Sequence, residues 1–412
     1  DTWYTGEPDN GSTPAYTNLI AGERYIPIFG GHSAGTHMQA TIVLDEDDWT
    51  YTVPTGFTSL STANLSTPAI INPEEHFFST IIDHDGSDTD GTCTFNLDTY
   101  EWLAIIKNTT GAAENWYMID SLRGVTKIVT MNTNDAETTD ANVLTVSGTT
   151  FTLGSTLGAK NYLVEFHKAG LASATASNTE GSLNTTATSV NLVSGFAIST
   201  YTGTGSNTNY GHGLNSAPEW TITKLRVGST QGNYAWHVGL GAGTKVIYPH
   251  LTNAIDTAAT VWNSTVPSAT LNSLGTSVGV NTNTYTYVNW SWHSVDGFSK
   301  FGSYEGNGNA DGAFVNTGFA QESMFVKNID AVENWVVKLQ VLDNTNENIS
   351  RIFFEQTAAA DTSTSSANMD MVSNGFKNRG TNAQSNSAAT FIYGAWGGRA
   401  MTDGAINQGR AK

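Results

Sequence analysis

Residues 220–224 read WTITK, residues 323–327 read SMFVK and residues 103–107 read LAIIK. Each is a short apolar run closed by a lysine. Lys224 and Lys327 stand 103 residues apart, the offset that also separates Tyr201 and Tyr304 in the phrases YTGTG and YEGNG. After each lysine come a few turn residues and then an aromatic run: ENWYMI at 114–119, NYAWHV at 233–238 and ENWVVK at 333–338. A polar stretch rich in Thr, Asn and Ser follows. Each copy closes on a further aromatic run, YLVEF at 162–166, YVNWSW at 287–292 or FIYGAW at 391–396. Spacing this regular marks repeated units. A period of roughly a hundred residues suits a small β-domain with its own core better than a solenoid turn.

The runs are rich in Val, Ile, Thr, Tyr, Phe and Trp and are bounded by Gly, Asn, Asp and Ser, which is how strands read. TYTYVNWSW at 284–292 alternates enough to bury one face and wet the other. DAETTDAN at 135–142 offers one helical turn at most. The expected fold class is all-β, a row of tandem, jelly-roll-like β-sandwich domains. Residues 73–170, 195–296 and 297–400 are the three repeats, 171–194 a Ser/Thr-rich connector or hairpin, and 401–412 a tail.

Charged residues make up only 13% of the chain and aromatic residues 10%, a balance that argues against disorder. Residues 1–101 carry sixteen acidic side chains and one basic one, Arg24, hence −15 of the total −19. Such a surface disfavours nucleic acid, because phosphate needs a basic face. Cys93 is the single cysteine, so no intrachain disulfide can form. No apolar run reaches the length of a membrane span, so membrane insertion is not expected. The chain begins at Asp1, from which a preceding N-terminal portion is expected, lost by processing or lying outside this fragment.

Three motifs invite chemistry. GHSAG at 31–35 has the Gly-x-Ser-x-Gly form of a serine nucleophile, Ser33. A nucleophile elbow needs sheet before it and a helix after it, and THMQATIVLDEDD reads as strand and turn. Ser33 is therefore expected to be a loop residue. DHDGSDTDG at 83–91 crowds Asp83, Asp85, Asp88 and Asp90 around two glycines, which suits a hard cation such as calcium. Its spacing is not that of an EF-hand, and it occupies the place of the tyrosine phrase, so a hairpin turn is the simpler reading. The Tyr-x-Gly-x-Gly phrases lack the Lys-Ser/Thr and the following helix of a phosphate loop and read as copied turns. His212 and His250 read as loop residues, and the tryptophans and tyrosines chiefly as core. No catalytic residue and no cofactor beyond that calcium is expected.

The stretches GFAISTYTGTGSN (195–207), GHGLNSAPEWTITK (211–224), WHSVDGFSKFGSYEGNGNADGAFVNTGF (292–319) and MVSNGFKNRGTNAQSNSAATFIYGAW (371–396) resemble a repeated β-domain of tailed-bacteriophage virion proteins, marine phages especially. WTYTVPTGFTSLSTANLSTPAI at 49–70 resembles the end of a SPRY-like module, which would occupy residues 1–72. The resemblance implies a non-enzymatic virion structural protein, on the tail more than the head. It would be a tail fibre or tail-associated adhesin whose partners are other virion proteins and a host-surface glycan or receptor. A capsid-attached fibre or decoration protein is the alternative, and a carbohydrate-binding or carbohydrate-active protein is a third reading. Small β-domains without disulfides gain from contacts between subunits, and fibre proteins favour three-fold symmetry, so a homotrimer is expected.

Overall fold

The structure is a computed structural model that describes residues 69–363 and 367–397. Ser33 and the SPRY-like stretch up to residue 68 lie outside the described residues. The first segment supplies β1 (Phe77–His84), β2 (Thr89–Thr92), β3 (Tyr100–Asn108), β4 (Tyr117–Asp120), β5 (Lys127–Thr130), β6 (Thr138–Thr139), β7 (Leu144–Ser147), β8 (Thr150–Leu153) and β9 (Lys160–Leu171). The second supplies β10 (Ala187–Asn191), β11 (Phe196–Thr202), β12 (Thr208–Gly211), β13 (Trp220–Val227), β14 (Asn233–His237), β15 (Lys245–Val246), β16 (Asp256–Thr257), β17 (Leu271–Leu274), the one-turn helix α1 (Val278–Asn281) and β18 (Thr286–Trp292). The third supplies β19 (Ser299–Glu305), β20 (Phe314–Asn316), β21 (Ser323–Asn328), β22 (Val336–Leu339), β23 (Ile352–Phe353), β24 (Met369–Val372), β25 (Gly375–Asn378) and β26 (Thr390–Trp396). The chain is thus all-β, built from separate antiparallel sheets in the manner of β-sandwiches. DAETTDAN forms no helix, and no helix among the described residues is long and apolar enough to cross a membrane.

One strand order recurs. In the first and third segments the first strand pairs with the last, and in the second β11 does so with β10 added at its edge; the last strand then pairs with the lysine strand, and the lysine strand with the aromatic strand. The orders are β1-β9-β3-β4, β11-β18-β13-β14 and β19-β26-β21-β22. The register is shared as well, since Lys107, Lys224 and Lys327 sit opposite Leu163, Val288 and Ile392. A smaller sheet accompanies each large one: β2-β8-β7, β12-β17 and β20-β25-β24.

The tyrosine phrases are the turns that carry the chain from the large sheet to the small one. Tyr201 gives its hydroxyl to Val280 O at 2.8 Å and Tyr304 gives its own to Ser385 O at 2.6 Å. The next glycine runs against the loop before the closing strand. A Cβ on Gly203 would lie 2.2 Å from Thr282 O, and one on Gly306 2.1 Å from Ser387 O. Only glycine fits such an approach. Asn281 and Asn386 then fasten each loop, accepting the backbone N–H of Thr204 and of Asn307.

Two expectations need correction. Successive strand residues face opposite sides of a sheet, yet Tyr287 to Trp292 of β18 are all buried. Asn289 and Ser291 are satisfied inside, Asn289 donating to Thr221 and Thr223 and Ser291 to Asn289, while Trp290 and Trp292 fill the other face. In β3, likewise, Ala104 and Ile106 pack toward the small sheet, and Leu103 and Ile105 join a second core. That second core draws on all three segments, with Ile105, Met118 and Met131, Trp220, Ile222 and Trp292, and Phe325, Trp335 and Trp396 among its members. The sandwiches are therefore not beads in a row. They close around a shared core within one compact unit.

Candidate functional site at the three-segment junction

Burying an ammonium costs heavily unless oxygen atoms replace its water. Lys107, Lys224 and Lys327 are all 0% exposed. Each Nζ donates to a carbonyl of its own segment and to a threonine carbonyl of another. Lys224 reaches Gln231 O at 2.8 Å and Thr133 O of the first segment at 3.0 Å. Lys327 reaches Glu333 O and, at 2.8 Å, Thr252 O of the second segment. Lys107 reaches Glu114 O at 2.7 Å and Thr357 O of the third segment at 2.8 Å, and adds Asn108 Oδ1 at 2.7 Å. The first segment therefore clasps the second, the second clasps the third, and the third returns to the first across 250 residues of sequence.

The same loops make further equivalent bonds. At the start of each aromatic run a side-chain N–H is donated to the neighbouring segment. Trp116 Nε1 bonds Phe353 O at 2.9 Å, Asn233 Nδ2 bonds Met131 O at 2.7 Å, and Trp335 Nε1 bonds Leu251 O at 3.1 Å. Two residues past each lysine, a backbone carbonyl accepts from that loop: Glu137 N to Arg226 O, Ile255 N to Ile329 O and Ala360 N to Thr109 O. Among the described residues, only the first-to-second seam adds a buried ion cluster. There Arg123 bridges Asp120 at 2.6 Å and Glu137 at 2.9 Å, Arg226 meets Glu137 at 2.8 Å, and Trp290 Nε1 donates to Asp120. Burial works against the Glu137 carboxylate, but the two guanidiniums prevail and hold its pKa below the usual range.

At the centre the register brings together His167, Trp292 and Trp396, which sit opposite Leu103, Trp220 and Ser323. Their rings meet edge to face, with centroids 5.6, 5.4 and 6.0 Å apart, the favoured aromatic geometry. Burial keeps His167 neutral, its pKa down to about 3. It lifts Glu165, two residues earlier on β9, to about 7 against the Ser323 and Ser79 hydroxyls. The lysines are drawn down by the same desolvation, Lys107 to about 7 and Lys224 and Lys327 to about 8. These groups are sequestered. The arrangement can hold three segments rigidly together, and it presents no accessible acid, base or nucleophile to a substrate.

The four aspartates lie on two strands and the turn that joins them. Asp83 lies on β1 of the large sheet and Asp90 on β2 of the small one, because the turn between them crosses from sheet to sheet. Asp85 accepts from the N–H and hydroxyl of Ser87, which lower its pKa, and Asp90 accepts from Thr152 at 2.6 Å. Asp88 is exposed in the turn. Among the described residues no group of three or more His, Cys, Asp and Glu side chains is placed to hold a metal ion. His212 and His250 lie in loops, where ring nitrogens accept the backbone N–H of Leu214 and Asn233. All nine described tryptophans are buried.

In the sequence the three lysines read only as strand ends. The signal of their role was there: a charge placed three times on a strand with no wet face, followed 26, 28 and 30 residues later by Thr133, Thr252 and Thr357. The family known as the domain of unknown function DUF7483 matches residues 72–399, a span that takes in all three segments, and the chain belongs to that family. No curated protein and no solved structure matches it.

Proposed function

We propose that the chain is a non-enzymatic structural protein of a tailed-phage particle, a tail fibre or tail-associated adhesin that meets the host surface. The observation that carries this reading is the closed junction, where three segments share one core and their ionisable groups are locked away from solvent. Such a body resists deformation and offers its outer loops for contact, as an external appendage requires. The likeness of residues 195–396 to phage virion repeats supports it further. A capsid-attached fibre or decoration protein uses the same rigidity and differs in location.

A host glycan would be sought first in the open groove of about 530 Å³ on the second segment, lined by Pro218, Glu219, Trp236, Val266 and His293. Self-association as a homotrimer remains part of the proposal, through surfaces other than the junction. Antibody-gold labelling of purified particles tests the whole. Label on the tail is the expected result, label on the head selects the capsid alternative, and particles free of the chain overturn both. Purified chain should also compete with particles for adsorption to host cells if it is an adhesin.

A further inference from the structure

A cavity of about 30 Å³ lies where the three segments meet. Glu165 and His167 of the first segment, Trp292 of the second, and Ser323 and Trp396 of the third are in its wall, and every residue lining it is buried. Two polar atoms of these side chains are buried with no protein partner, the indole Nε1 of Trp292 and that of Trp396. Among the described tryptophans, Trp102, Trp116, Trp236, Trp290 and Trp335 all place their N–H on an oxygen. Trp262, a third tryptophan with a buried and unpartnered N–H, lines a smaller cavity of about 10 Å³ together with Asn272, whose Oδ1 also lacks a partner. Unpartnered polar atoms and internal space therefore coincide twice.

An indole N–H can only donate, so each of these two atoms requires an acceptor. The wall itself offers the Glu165 carboxyl, which faces the Ser323 hydroxyl and the Ser79 hydroxyl, the latter at 3.4 Å, and has acceptor capacity left for water. A buried water needs about 10–15 Å³ and two to four polar partners. The cavity has room for about two by that measure, and none for a larger ligand. We propose that it is a water-binding site, in which about two ordered waters accept the Trp292 and Trp396 N–H groups and donate to the carboxyl oxygen of Glu165. The third position of the aromatic triad explains the space. His167 stands where the other segments have tryptophan, and imidazole is smaller than indole.

The test uses the intact chain with nitrogen-15 in its tryptophan side chains. Water-selective magnetisation transfer should give cross-peaks to the indole N–H signals of both Trp292 and Trp396, with the sign of a long-lived bound water. Trp292→Phe and Trp396→Phe assign the two signals. Cross-peaks at neither, or at only one, would overturn the bridge. A crystal of the unmodified chain under xenon gives a second readout that needs no variant. Water density within hydrogen-bond distance of both nitrogens supports the proposal, and xenon in the cavity, the mark of a dry apolar void, sinks it.

Discussion

Each of the three lysines replaces hydration with carbonyl oxygens from two segments, so truncating one strands acceptors as well as removing a charge. Lys224→Met keeps the apolar stem and leaves Thr133 O and Gln231 O without their donor. The expected loss is about 2 kcal/mol in denaturant unfolding. Lys245→Met, which removes an exposed contact to Thr257, should stay within about 0.5 kcal/mol. Equal effects from the two variants would remove the clasp from the account. Glu165 makes a prediction of unusual sign. Its folded pKa, raised from 4.5 to about 7 by burial, exceeds the unfolded value. Its contribution is therefore full below pH 4.5, where both states are protonated. It declines as the unfolded carboxyl ionises and is gone above about 7. The span is on the order of 3 kcal/mol. Stability of the parent minus that of Glu165→Gln should fall between these limits, and a flat difference would contradict the burial argument. Sequence alone could not place Glu165 in a core, because YLVEF reads equally well with the glutamate on a wet face.

At the scale of elements, the strands and their copied turns were legible, because β-branched and aromatic runs between glycine-rich turns have few other solutions. What the second face of each sheet does was not. Alternation in TYTYVNWSW separates polar from apolar residues, but Asn289, Ser291, Thr221 and Thr223 bond one another as readily as they bond water. The aspartate run sits on a turn that changes sheets, so its closeness in sequence does not by itself place four carboxylates around one point. The turn glycines give a test at this scale. Gly306→Ala forces a methyl against Ser387 O and should cost about 1–3 kcal/mol in unfolding experiments. Gly203→Ala meets Thr282 O in the same way and should match it. Tolerance at both positions would mean that the phrase is repeated for some reason other than close packing.

For the whole molecule, the recurrence of the lysine strands pointed to three small cores and to subunit contacts that would complete them. The shared core supplies that burial inside one chain, so three-fold closure is a property of the monomer. The expectation of a homotrimer thereby loses the part of its argument that rested on small cores. It stands on the resemblance alone, and sedimentation of the intact chain at micromolar concentration decides it. Closure also couples the segments energetically, because opening any one of them strips two neighbours of their loops and breaks the third-to-first seam that no adjacent peptide supports. The most direct test is native-state hydrogen exchange read by mass spectrometry under rising denaturant, following peptides that cover β3, β13 and β21. All three should converge on one opening free energy and one denaturant dependence, as a single cooperative unit must. Three separate opening energies, with one segment exchanging while the others stay protected, would contradict the closed junction.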